Sequence, residues 1–197
     1  MEFGSSANIR WPIRGVRRKT DWQVGRFTAS SAVMATAPQL KLKKGDKAPA
    51  FKAVTNGGGT ATLQDFKGKH LVLFFYPKDD TPGCTTQACD FRDAVKRIIA
   101  SKAVLFGLSL DSVKSHKLFA EKYNLPFSLL ADEKGEVSEL YDSLSSFFKV
   151  ANRNTFIVDP KGNIAKIYLS VNPKTHSEMV LNDLNSLQKA SDKTESN

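Results

Sequence analysis

Residues 71–76 read LVLFFY, six apolar side chains with no polar residue between them. A strand with one wetted face alternates apolar and polar residues. An unbroken run rich in Val and aromatics fits a strand buried on both faces, at the centre of a sheet covered by helices. The run is far shorter than the roughly 20 residues that cross a bilayer, so it is not a membrane span. The residues after this run turn the chain into a helix. Thr81 stands where an N-cap belongs, Pro82 suits a first helical turn, and Ala88, Phe91, Val95, Ile98 and Ile99 recur at spacings of three and four. Residues 70–76 and 84–99 thus read as a central strand feeding an amphipathic helix.

The same logic predicts the rest of the order. Residues 103–109 (AVLFGLS) form a second buried strand, and 112–123 a helix capped by Ser112 or Asp111. Residues 127–130 form a short strand and 136–142 one or two helical turns. TFIVD (155–159), PKG and NIAKIYLS (163–170) make a strand–turn–strand hairpin. Residues 176–189, with Met179, Val180, Leu181, Leu184 and Leu187, close the fold as a helix. The order β-α-β-α-β-(α)-β-β-α implies two right-handed βαβ crossovers followed by a hairpin. That is an α/β architecture, a mixed central sheet with helices on both faces, the arrangement of thioredoxin-like folds.

A formal charge of +9 raises the question of a nucleic-acid surface. Its distribution argues against one. Residues 1–47 carry ten Lys/Arg against Glu2, Asp21 and Asp46, or +7, which leaves +2 for the remaining 150 residues. The basic character belongs to the leader. Residues 1–38 are rich in Arg, Ser, Thr and Ala and poor in acids, the composition of an organellar transit peptide. They lack the continuous apolar centre of a secretory signal. A cut near Val33–Thr36 suits the first reading. The other reading is that MEFGSS is an expression-vector scar and Met34 a natural start. The expected organisation is a leader at 1–38, one domain at 39–190 and a frayed polar tail at 191–197. No nucleic acid and no membrane span are expected. The location is plastid (chloroplast) if the leader is a transit peptide and cytoplasmic otherwise.

Both cysteines of the 197-residue chain fall in PKDDTPGCTTQAC, residues 77–89. Cys84 lies in the first turn of the predicted helix, where unpaired backbone N–H groups and the positive end of the dipole favour a thiolate, the form that attacks. Cys89 is five residues on. In an ideal helix their Cα atoms stand about 8.5–9 Å apart. A disulfide needs about 4.4–6.8 Å. The pair closes only if that part of the helix unwinds, which makes it a redox-linked switch and not a permanent staple. The plainer reading takes both as small buried hydrophobes. A C-x-x-C motif is absent. His70, His116 and His176 are scattered, with no metal-ligand spacing, and are expected at the surface. Asp79 and Asp80 are expected to be solvated loop charges.

PKDDTPGC fits Pro-x-x-x-Thr-x-x-Cys and resembles the active-site signature of the peroxiredoxins. The wider FFYPKDDTPGCTTQACDFRD is similar to the Q, or bacterioferritin-comigratory-protein, subfamily. KGDKAPAF, LQDFKGKHLVLFFYP, SHKLFAEKYNLPFSLLAD and RNTFIVDPKGNI continue the likeness in order, over about residues 40–188. The resemblance implies a thiol-dependent peroxidase without cofactor or metal. Hydrogen peroxide and alkyl hydroperoxides are the substrates, and thioredoxin or a similar dithiol is the reductant. Cys84 matches the peroxidatic cysteine, which becomes a sulfenic acid, and Cys89 the resolving cysteine that closes an intramolecular disulfide on it. Thr81 matches the hydroxyl that meets the peroxide, Pro77 the residue that shields the sulfur from water, and Arg153 the arginine beside it. A monomer is implied, since no Val-Cys-Pro resolving segment is present. Segment 142–152 departs from the family pattern, in the wall of the expected pocket. The rival readings are a thioredoxin-like disulfide carrier, which would want C-x-x-C, a copper chaperone, which would want C-x3-C, and a holdase, for which no residue speaks.

Overall fold

The computed structural model describes residues 41–195, and the expectations for residues 1–38, as for Ser196 and Asn197, lie outside them. Two short strands come first, β1 (Lys52–Thr55) and β2 (Thr60–Thr62), then a 3-10 turn (Leu63–Phe66) and β3 (His70–Phe75). Next come helix α1 (Pro82–Ala100), β4 (Ala103–Ser109), α2 (Val113–Lys122), β5 (Ser128–Ala131) and α3 (Glu136–Leu140). The hairpin β6 (Thr155–Val158) and β7 (Ile164–Tyr168) leads to α4 (His176–Glu195).

Seven strands form one mixed sheet in the order β2-β1-β5-β4-β3-β6-β7. β3, β4 and β5 are parallel neighbours, joined by α1 and α2, and β6 runs antiparallel against the other edge of β3. β3 is central, as its run of apolar residues requires, and every one of its side chains is buried. Val72 and Phe74 point to the face covered by α1, α2 and α4, where Phe91, Ile98, Phe119, Val180 and Leu184 pack. Leu71, Leu73 and Phe75 point to the opposite face, where Val137 of α3, Tyr141 and Phe156 meet them, with Phe66 at the margin. Helices therefore cover both faces, and the fold is thioredoxin-like. No helix among the described residues is long and apolar enough to cross a membrane.

The predicted elements from residue 70 onward are all present. The hairpin of β1 and β2 is not in the sequence reading. Its strands have four and three residues, and its turn, Asn56 to Gly59, looks like plain loop. Pairing of β1 with the edge of β5 holds it in the sheet. The final helix runs to Glu195, past the predicted 189 and into the segment expected to fray.

Four expectations of exposure are corrected. His70, His116 and His176 are all buried. His176 is seated between the rings of Phe91 and Tyr168, and Thr155 meets its Nε2. Its Nδ1 has no partner among the described residues. Asp79 is buried rather than solvated, because hydrogen bonds from three side chains replace its water. Asp80 is exposed, as expected, and is held by Lys122 and Tyr123.

Candidate active site

α1 begins as the sequence indicates, with Thr81 at the N-cap and Pro82 in the first turn. Cys84 is therefore at the open end of a 19-residue helix, where the first amides lack intrahelical partners. Its side chain is 2% exposed and belongs to the core cluster under α1. Cys89 is half-buried on the same helix, and both thiols are free. Helical spacing keeps them apart, as the five-residue interval requires.

Arg153 reaches this sulfur from the loop just before β6. Its Nη2 donates to Cys84 Sγ at 3.3 Å, and its Nη1 donates to Gln87 Oε1 at 2.6 Å. The guanidinium fork is thus shared between a sulfur and an amide oxygen on adjacent turns of one helix face. Gly83 makes the approach possible. A Cβ there would stand 3.2 Å from Arg153 Nη2, tighter than ordinary contact. An always-charged cation at hydrogen-bond distance favours negative charge on the sulfur and can also donate to an oxygen that gains charge as a bond to it breaks.

Thr81 does not cap the helix with its side chain. Its hydroxyl donates to the Lys78 carbonyl at 3.0 Å, and no helical amide donates to it. Its oxygen is therefore not used as an acceptor by the cap. Pro77 stands two residues past the end of β3, half-buried, at the start of the same loop. The structure thus brings Arg153 onto Cys84 and puts Pro77 and Thr81 in the loop that leads to it.

That loop is anchored by α2. Asp79 accepts from Tyr76 Oη at 2.7 Å and Ser115 Oγ at 2.7 Å, and lies 2.9 Å from His116 Nδ1. Its own backbone N–H donates to Asp111 at 2.8 Å, so Asp111 ties down the loop while Ser112 caps the helix. His116 Nε2 faces the Leu130 carbonyl at 3.1 Å and so carries a proton. Burial pushes the Asp79 carboxyl up, but His116, Tyr76 and Ser115 together outweigh burial and hold it below its ordinary value. Burial, reinforced by Asp79, pushes the Tyr76 phenol well up. Asp80, with φ of 55°, sits in the left-handed region that Asp tolerates, and Lys122 with Tyr123 lowers its carboxyl.

Gln87 is a site residue that the sequence reading does not mention, and Asp79 and His116 are ones it sets aside as surface groups. Gln87 had a usable signal: it lies three residues after Cys84, on the same helix face. The segment 142–152 forms a narrow loop. Leu144 bridges Ala151, Ser145 N–H donates to the Val150 carbonyl, and Phe147 and Phe148 project outward, 90% and 73% exposed. It runs directly into Asn152 and Arg153, so its shape bears on how the arginine is presented.

The chain matches known proteins over this whole domain. The model of the AhpC/TSA family matches residues 44–167. Peroxiredoxin Bcp of Bacillus subtilis is 40% identical over 151 residues, spanning 74% of this chain and 96% of that protein. The chloroplastic peroxiredoxin Q of Triticum aestivum is 41% identical over 154 residues, 73% of this chain and 71% of that one. Among solved structures, a mutant PrxQ of Xylella fastidiosa superposes with a TM-score of 0.70 at 30% identity, covering 74% of this chain and 96% of that one. The bacterioferritin comigratory protein of Xanthomonas campestris, described for its alkyl peroxide reduction activity, gives a TM-score of 0.69 at 29% identity, covering 76% and 99%.

Proposed function

Since the chain belongs to the AhpC/TSA family, as a thiol-dependent peroxidase of the Bcp and peroxiredoxin Q kind, we propose that Cys84 attacks the hydroperoxide and Cys89 resolves the product. The observation that carries this assignment is Arg153 Nη2 at 3.3 Å from Cys84 Sγ, at the amino end of α1. No comparable cation is hydrogen-bonded to Cys89 among the described residues.

The cycle is built on that geometry. The Cys84 thiolate attacks the nearer oxygen of R-O-O-H, the O–O bond breaks, and the departing RO⁻ takes a proton to leave as alcohol or water. Sulfur loses two electrons and becomes a sulfenic acid. Arg153 favours the thiolate before the step and donates to the oxygens as charge moves onto them. Thr81 offers its oxygen to the peroxide O–H, and Pro77 screens the sulfur from bulk water. Cys89 then attacks the Cys84 sulfur, water leaves, and the disulfide closes as the first two turns of α1 open. An external dithiol restores both thiols by exchange.

Hydrogen peroxide and alkyl hydroperoxides are the substrates of this reading, thioredoxin is the dithiol, and the chain is read as a monomer, since a disulfide within one helix needs no second subunit. Residues 1–38 serve as a plastid transit peptide, a placement supported by the chloroplastic relatives. Fusing residues 1–38 to a fluorescent protein tests it: plastid import supports the leader role and a diffuse cytosolic signal rejects it. The site assignment is tested by adding a single equivalent of peroxide with dimedone and mapping the adduct by mass spectrometry in a Cys89→Ser background. The adduct belongs on Cys84. An unmodified Cys84 rejects the assignment.

A further inference from the structure

We propose that Gln87 is the latch that couples the folded state of α1 to the seat of Arg153, so that forming the disulfide withdraws the arginine from the peroxide site. The proposal rests on the assignment of Cys84 and Cys89 given above and adds a positioning residue that acts through Arg153.

Three observations meet at this side chain. Gln87 lies between the two cysteines, inside the stretch that must unwind before they can touch. It is fully buried, and its Oε1 accepts from Arg153 Nη1 at 2.6 Å. Its Nε2 has no hydrogen-bond partner among the described residues. A buried amide satisfied at one end only is held in place at a cost, and opening the helix returns the unpaired N–H to water. The latch therefore has both a reason to hold and a reason to release.

The surroundings confine the opening to this stretch. Thr85 and Thr86 are weak helix formers, and the Thr86 hydroxyl donates back to the Pro82 carbonyl at 2.8 Å. Just past Cys89 the helix is pinned. Asp90 accepts from the Ser177 amide at the start of α4 at 2.8 Å, and Phe91 stacks on Phe74 with ring centroids 4.6 Å apart. Residues 82–89 can loosen while the remainder of α1 stays docked. When they do, Gln87 Oε1 leaves Arg153 Nη1 as Cys84 Sγ moves off Nη2 toward Cys89, and the fork loses both of its holds on the helix. The closing step itself balances: Cys84–SOH and Cys89–SH give the disulfide and water, with no outside electron donor.

The test separates attack from closure. Rapid-quench mass spectrometry of the full chain tracks gain of oxygen on Cys84 and loss of water on closure, for wild type, Gln87→Met and Gln87→Glu. Gln87→Met keeps the shape and removes the acceptor. It should slow attack and speed closure, each by about tenfold. Gln87→Glu keeps an acceptor for Arg153 and should close more slowly than the Met variant, recovering part of the attack rate. A purely structural role would move attack and closure in the same direction, and that result overturns the proposal, as does closure in Gln87→Met at or below the wild-type rate. Failure of the underlying assignment looks different, since oxygen would then not appear on Cys84 in any of the three proteins.

Discussion

Arg153 holds Cys84 and Gln87 with one guanidinium, Nη2 on the sulfur at 3.3 Å and Nη1 on the amide oxygen at 2.6 Å. The two contacts fix both the position and the plane of the fork. The cation is thereby oriented before any substrate arrives, which is what electrostatic catalysis requires.

Removing that cation should cost the peroxide reaction heavily. Arg153→Met is expected to lower the second-order rate constant by about 10²-fold or more, the scale seen when one preorganised donor is lost. Arg153→Lys keeps the charge but cannot make two directed contacts, and should recover only part of the rate. Stopped-flow mixing with hydrogen peroxide measures both.

Thr81 separates a capping role from a substrate role. Its hydroxyl donates to Lys78 and accepts from no helical amide. Thr81→Ser should retain the rate, and Thr81→Val should lose about tenfold or more, while thermal stability drops by no more than about 1 kcal/mol in either. A Val variant with full activity would remove the hydroxyl from the mechanism.

Stability should fall in acid, in two stages. Burial lowers His176 from its ordinary 6.5 to about 4, so the unfolded chain takes up its proton first. This group's contribution is complete above pH 6.5 and is lost as pH falls toward about 4, amounting to about 3 kcal/mol at most. Asp79 is depressed below 3.8, so its contribution is present above that value and disappears as pH falls further. Thermal melts from neutral pH downward test the sign. His176→Gln should flatten the first stage and leave the second.

The order of elements from His70 onward was legible because β3 has no polar face and α1 has a strong one. The short β1–β2 hairpin was not, since strands of four and three residues carry too little periodicity and depend on β5 for pairing. The pattern around Cys84 was legible through Thr81, Pro82 and the helical spacing. The burial of Asp79 and His116 was not. Each is polar and ordinary in sequence, and their pairing spans 37 positions, a contact that only the packing of α2 against the loop creates.

Cys89→Ser should separate the two halves of the cycle. The variant is expected to consume one equivalent of peroxide at nearly the wild-type rate and then stop as a sulfenic acid, with turnover by thioredoxin abolished. Assay with the reduced dithiol and an excess of peroxide detects the stop. Sustained turnover without Cys89 would mean that the reductant attacks Cys84 directly.

The most direct measurement is stopped-flow reaction of hydrogen peroxide with the reduced Cys84→Ser protein beside wild type and Cys89→Ser. Loss of the fast reaction in Cys84→Ser, with the fast phase retained in Cys89→Ser, is the predicted result. A Cys84→Ser protein that reduces peroxide as fast as wild type would contradict the assignment of Cys84 as the attacking sulfur.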